Sequence, residues 1–288
     1  MKNILVTGAN GQAGGMLKKH ARRNDSFGWT FIDIHDLDLT NRHMVEKFLD
    51  LNNYDYIINC AAYTAVDKAE AQPEDAFTAN AVIPEILGNL CLKKPIRLIH
   101  ISTDYIYNGK SFTPHKESED PAPTSIYAQS KLKGEKILWG NPNALIIRTS
   151  WLYCELGNNF LRNMLRLGYD RKELNVVFDQ IGTPTYAGDL ADVLIYIIEY
   201  SEKKEFLPGI YNYSNEGVCS WYDFSWEIMR LAGIDCRVKP VLTKDYPLPA
   251  QRPEYSVLDK SKIKTTFGID IPNWKESLIK VISILEKK

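Results

Sequence analysis

The chain has 288 residues, 44 % of them apolar and 25 % charged. That is ordinary globular usage for one large domain or two coupled ones, and it excludes disordered, collagen-like and low-complexity architectures. Thirty-five Lys and Arg against 36 Asp and Glu leave a net charge of −1, without the basic excess of a general nucleic-acid or membrane-surface binder.

The first half alternates short β-branched runs with amphipathic stretches. Ile4–Thr7 reads as a buried strand, Gln12–Arg22 as a helix, Thr30–Ile34 as a strand and Arg42–Leu51 as a helix. Tyr56–Cys60 is a third strand, and one long helix is expected from about Pro73 to Cys91, with Pro73 suited to a first turn. Arg97–Ser102 is a fourth strand. Lys110–Ser125 carries three prolines and reads as a long loop, of a length more often functional than idle. Ala128–Leu138 is a helix and Ala144–Thr149 a fifth strand.

Beyond Thr149 the pattern is less regular. Helices are expected near Asn159–Tyr169, Ala187–Glu199, Tyr222–Leu231 and Lys275–Leu285, short strands near Leu174–Phe178 and Gly209–Tyr213, and an extended linker over Asp245–Pro253. Strands alternating with helices predict an α/β protein with a Rossmann-type, doubly wound parallel sheet. Residues 1–150 form its dinucleotide-binding domain, with a return of chain near 174–213. Residues 151–288 form a smaller, mainly substrate-binding C-terminal domain.

Gly8-Ala9-Asn10-Gly11-Gln12-Ala13-Gly14 follows the first strand and opens the first helix. Glycines in this place permit a tight turn and close approach of a pyrophosphate to a helix N-terminus. Asp33 lies nineteen residues after Gly14, a distance suited to accepting from the adenosine ribose hydroxyls. Ile34 and His35 follow, so no arginine stands there to attract a 2′-phosphate, which tilts the choice between NADPH and NADH towards NADH. Asp38 is either part of this site or a surface carboxylate.

Tyr127 and Lys131 lie four apart at the start of a helix and so share a face. Ser102-Thr103-Asp104 ends the fourth strand, where parallel sheets place their ligand crevice. The set suits carbonyl reduction. A phenol supplies the proton, a nearby ammonium lowers its pKa from about 10, and the Thr103 hydroxyl holds the carbonyl.

These motifs resemble the extended short-chain dehydrogenase/reductase family. Gly11-Gln12, the run Asn59 to Glu70, Ser102-Thr103-Asp104-Tyr105, Arg148-Thr149-Ser150-Trp151 and Arg252-Pro253 are similar to its dTDP-4-dehydrorhamnose reductase branch. The resemblance runs from Lys2 to the final helix. It implies NAD(P)H-dependent reduction of the C4 carbonyl of dTDP-4-dehydro-L-rhamnose, with Tyr127 as proton donor, Lys131 as its partner on the nicotinamide ribose, and Thr103 and Asp104 on the substrate. Gly11, Gln12 and Ala13 would hold the pyrophosphate. Asp33, Asp38 and Leu39 would surround the adenosine, and Ala62, Tyr63 and Thr64 would line the cofactor. Trp151 would cover the deoxysugar, its alternative being a core tryptophan at the domain seam. Arg252 suits either a phosphate or a structural ion pair.

Some relatives dimerise through glutamate-held Mg²⁺. Met16 replaces the first of these acids, and Thr183–Gly188 has none, so a monomer or a homodimer without that metal is expected. No metal site is expected elsewhere. Five cysteines without a C-x-x-C spacing read as reduced thiols, and a short N-terminal apolar run reads as no signal peptide. The expected setting is cytoplasmic, with a nucleotide-sugar as the partner molecule. A 4-epimerase, a 6-deoxytalose-forming reductase or a non-catalytic NAD(P)-binding regulatory subunit stays open as the alternative. A 4,6-dehydratase is disfavoured because Tyr105, not a glutamate, follows Asp104.

Overall fold

Alternate residues of each central strand point to opposite faces, and both faces are apolar. The computed structural model describes residues 1–22 and 26–286. Its first half comprises β1 (Lys2–Thr7), α1 (Gln12–Ala21), β2 (Phe27–Ile32), α2 (Arg42–Leu51), β3 (Tyr56–Asn59), α3 (Val66–Ala71), α4 (Pro73–Phe77), α5 (Ile83–Lys93), β4 (Arg97–Thr103), α6 (Ile126–Leu138) and β5 (Ala144–Thr149). The second half comprises β6 (Leu152–Tyr153), α7 (Phe160–Asp170), β7 (Glu173–Val177), β8 (Ile181–Gly182), β9 (Thr185–Tyr186), α8 (Ala187–Lys203), β10 (Gly209–Asn212), β11 (Cys219–Ser220), α9 (Trp221–Leu231), β12 (Arg237–Val241), α10 (Ser261–Phe267) and α11 (Trp274–Glu286). The last two residues of the expected 151–288 domain lie outside the described residues.

Six strands pair in the order β2-β1-β3-β4-β5-β10, every neighbour parallel. The expected doubly wound sheet is therefore present. Ile4, Val6, Ile58, Ile99 and Ile147 join Met16 and Leu17 of α1 and Leu194 of α8 in one core. Leu5, Ile57, Leu98 and Ile146 join Leu49 of α2 and Leu87 and Leu90 of α5 in the other. With both faces covered, the strand order reverses between β1 and β3, and such a reversal opens a crevice at the carboxyl ends of the strands. No helix among the described residues is long and apolar enough to cross a membrane.

Several expectations change. The long helix from Pro73 is α4 and α5 joined by a π-helical segment, Thr78–Val82. Pro84, at the start of α5, has no N–H and its ring crowds the carbonyl one turn back, which a wider turn relieves. This segment holds Asn80, whose Oδ1 accepts from the Tyr63 N–H at 2.9 Å and whose Nδ2 donates to Ser130 Oγ of α6 at 2.9 Å. The second strand stops at Ile32, one residue before Asp33. The strand at Leu174–Phe178 does not return to the main sheet. As β7 it pairs with β12, and its Leu174 and Val176 pack with Val238 and with Phe224 and Ile228 of α9. The long loop at 110–125 packs structurally rather than forming part of the crevice. The His115 N–H donates to the Val257 carbonyl at 2.8 Å, and the Asn212 N–H of β10 donates to Glu117 at 2.8 Å.

Candidate active site

The crevice contains a chamber of about 540 Å³, lined by Gly11, Gln12, Ala13, Ala62, Thr64, Thr103, Asp104, Tyr127, Lys131 and Trp151, and also by Trp221. The sequence motifs thus converge at one place. Two glycines shape its floor without lining it. Gly8 has φ +62°, and a Cβ there would lie 2.6 Å from the Ala61 N, two residues beyond β3. A Cβ on Gly14 would lie 2.3 Å from the Gly8 carbonyl oxygen. The turn closes through the Gly11 N–H, which donates to the Gly8 carbonyl at 3.0 Å. No side chain caps α1, so its first N–H groups are available to an anion. A backbone this close to the cavity, at an uncapped helix start, fits a dinucleotide pyrophosphate.

Asp33 steadies this loop from outside the chamber. Its Oδ2 accepts from the Asn10 N–H at 2.8 Å and its Oδ1 from the Ile34 N–H at 2.9 Å. Each oxygen retains lone-pair capacity for a ribose hydroxyl. Ile34 is 72 % exposed and offers no charge. Asp38 and Leu39 are not brought to the chamber. Asp38 accepts from the Thr40 N–H and hydroxyl at 2.9 and 2.6 Å, and those bonds hold its carboxyl below the usual carboxylate range. Leu39 is buried in the second core. Tyr63 also stays outside the lining, its hydroxyl donating to Gln72 at 2.7 Å.

Ser125 caps α6 by accepting from the Ala128 N–H, and the first turns of the helix carry Tyr127 and Lys131 into the chamber. The phenol does not show the expected lowering by the ammonium. Burial pushes Tyr127 up to about 12, with the Thr103 hydroxyl opposing. Lys131 Nζ instead donates to the Ile101 carbonyl at 2.6 Å. Burial brings its ammonium down to about 8, opposed by Glu135 and Cys60. Tyr127 is therefore neutral and proton-bearing at neutral pH. Tyr105 meets its ring edge-on, with centroids 5.8 Å apart at 79°. Asp104 is buried, and burial pushes its carboxyl up to about 7 against the pull of the Ser256 and Thr103 hydroxyls.

Trp151 has φ +44°, a left-handed conformation that costs a bulky residue on the order of 1–3 kcal/mol. Its ring lies 3.6 Å from that of Trp221, at an interplanar angle of 7°. Arg252 forms a bidentate pair with Asp67, at 3.1 and 2.7 Å, so its ion-pair reading is realised. It also lines an adjoining cavity of about 690 Å³ with Asn159, Asn175, Gln180, Tyr246 and Leu248. Thr64, Val66, Tyr105, Asn158 and Trp221 border both cavities. Trp221, Tyr105 and Asn80 were not singled out as site residues by sequence reasoning. For Trp221 the only local signal was the Ser220…Asp223 capping box beside it.

The model for the RmlD substrate binding domain matches residues 1–287. A dTDP-4-dehydrorhamnose reductase of Aggregatibacter actinomycetemcomitans is 39 % identical over an alignment of 286 residues that covers 96 % of this chain and 97 % of that protein. The crystal structure of a dTDP-4-dehydrorhamnose reductase from Clostridium acetobutylicum superposes with a TM-score of 0.94 at 41 % identity, covering 99 % of both chains. That of the Bacillus anthracis dTDP-4-dehydrorhamnose reductase, in complex with NADP, gives 0.92 at 36 % identity, covering 99 % of this chain and 100 % of that one. By sequence along its length and by fold, the chain belongs to the RmlD substrate binding domain family.

Proposed function

We propose that this protein is an oxidoreductase that reduces the C4 carbonyl of dTDP-4-dehydro-L-rhamnose, giving dTDP-L-rhamnose. The observation that carries the reading is the convergence of Thr103, Tyr127 and Lys131 in one chamber with the Gly11–Ala13 turn. The N–H groups at the start of α1 would hold a dinucleotide pyrophosphate, Asp33 the adenosine ribose, and Ala62 and Thr64 the wall beside it. The nicotinamide, when bound, supplies hydride. Thr103 and Asp104 orient the ketone, and Tyr127 gives its proton to the C4 oxygen as the carbonyl becomes an alcohol. Lys131 offers its ammonium to the ribose. The adjoining cavity, rich in amide side chains and bordered by Arg252, takes the nucleoside diphosphate.

The uncharged Ile34 beside Asp33 supports use of NADH as well as NADPH, and the reaction belongs in the cytoplasm with other nucleotide-sugar chemistry. The test is turnover of dTDP-4-dehydro-L-rhamnose by the wild-type protein with NADPH and with NADH, followed by nicotinamide absorbance and by the C4 configuration of the product. Oxidation of both cofactors with dTDP-L-rhamnose as product is expected. Protein that binds cofactor yet oxidises neither would contradict the proposal, and a 6-deoxytalose product would contradict its stereochemistry.

A further inference from the structure

The chain from Gly109 to Glu119 lines neither cavity, yet it is closely built. Asn212 of β10 anchors it to the main sheet, its Nδ2 donating to the His115 carbonyl at 2.9 Å. The His115 side chain is buried and stacks on Tyr107, with ring centroids 4.3 Å apart at 4°. Both ring nitrogens face acceptors. Nδ1 lies 2.7 Å from a Glu119 carboxylate oxygen, and Nε2 lies 3.3 Å from the Tyr255 carbonyl. The main chain grips the same neighbour. The Tyr255 N–H donates to the Gly109 carbonyl at 2.9 Å, and the Asp259 N–H donates to the His115 carbonyl at 2.8 Å. Gly109 has φ +73°, and a Cβ there would lie 2.5 Å from the Pro253 Cα, so only glycine lets the two backbones approach this closely.

Residues 250–260 form no helix and only isolated bridges, so their position is set by what lies on either side. One side is β8, where the Ile181 N–H donates to the Glu254 carbonyl at 2.7 Å and the Ser256 N–H to the Ile181 carbonyl at 2.8 Å. The other side is the His115 loop. The segment held between them carries two side chains to the site. Arg252, next to Pro253, borders the second cavity, and the Ser256 hydroxyl lies beside Asp104 and steadies its carboxylate. We propose that His115 is a positioning residue for sugar-nucleotide binding: from outside both cavities it holds the 252–256 segment in register, so that Arg252 meets the diphosphate and Ser256 meets Asp104. This rests on the assignment of the Arg252 cavity to the nucleoside diphosphate. A guanidinium fork recognises phosphate oxygens only in a narrow geometry, so a small slip of the segment is felt there. None of these bonds reaches the Gly11–Ala13 turn or Lys131, so the cofactor is spared.

The experiment measures binding of dTDP and of NADPH to wild type, His115→Phe, His115→Gln and Gly109→Ala. His115→Phe keeps a ring on Tyr107 but has no side-chain N–H. It is expected to weaken dTDP about tenfold, the scale of one hydrogen bond to a charged group, while NADPH holds within about threefold. His115→Gln retains an N–H donor and recovers part of the loss. Gly109→Ala pushes on Pro253 from the other end of the grip and leaves His115 in place. It is expected to give the same selective loss of dTDP. Equal weakening of both ligands would reduce His115 to a general structural role and overturn the proposal. So would dTDP affinity that is unchanged in both His115→Phe and Gly109→Ala. Wild-type protein that binds NADPH but not dTDP would overturn the nucleoside-diphosphate assignment and this inference together, and is recognisable because the failure precedes any substitution.

Discussion

Tyr127 and Lys131 are both buried, and burial favours the neutral form of each. For the tyrosine this suits the proposed role, because a proton donor must carry its proton at working pH. For the lysine it sets a limit. Its ammonium, lowered to about 8 by desolvation, loses its charge as pH rises through that value, and with it the donor that the proposed function assigns to the cofactor ribose. Cofactor affinity of the free protein is therefore predicted to be level below about pH 8 and to fall by up to about tenfold per unit above it. Titration calorimetry across pH 6.5–9.5 (a range set around the value of about 8) checks this, with Lys131→Met as the control that has no such limb. Affinity constant across the range in wild type would contradict it. These two residues were legible as a pair from their spacing alone. The direction of the phenol's shift was not, because burial sets it, with the Thr103 hydroxyl rather than the ammonium opposing, and burial is a tertiary property.

The α6 helix owes its place to contacts that lie away from the chemistry. Glu135, one turn beyond Lys131, is buried and accepts three hydrogen bonds from Arg148 of β5, at 3.1, 3.1 and 2.7 Å. Arg148 also donates to the Tyr107 hydroxyl at 2.8 Å. Removing one partner leaves the other charge stranded, so Arg148→Met is predicted to cost about 3–5 kcal/mol in urea unfolding, with much of it regained in Arg148→Met/Glu135→Met. A loss below about 1 kcal/mol would show that α6 is held otherwise. From the sequence, α6 could be placed by its apolar spacing, but this pair could not, since its members sit on different elements. The π-helical segment was equally hidden. It adds little to the apolar period of the Pro73–Lys93 run, and Pro84 was its one visible trace. Yet it is what delivers Asn80 to both the Tyr63 loop and α6.

Across the whole molecule, the local patterns of the first half sufficed to place five of the six strands of the main sheet, because each of those strands and its crossover helix are close in sequence. The second half depends on short strands paired over long separations, such as β7 with β12 and β8 with β11, and no local period announces them. That half supplies Trp221 and Arg252 to the crevice, which is why the glycine loop and the Thr103, Tyr127 and Lys131 set could be read in advance while the wall between the two cavities could not. The account as a whole stands on Tyr127 being the proton donor in a chamber that binds cofactor without it. The most direct measurement is steady-state reduction of dTDP-4-dehydro-L-rhamnose by Tyr127→Phe, with NADPH affinity measured alongside. The account predicts that kcat falls by about 10²–10⁴ while cofactor affinity is kept. Turnover within about tenfold of wild type would contradict it, because a phenyl ring has no proton to give.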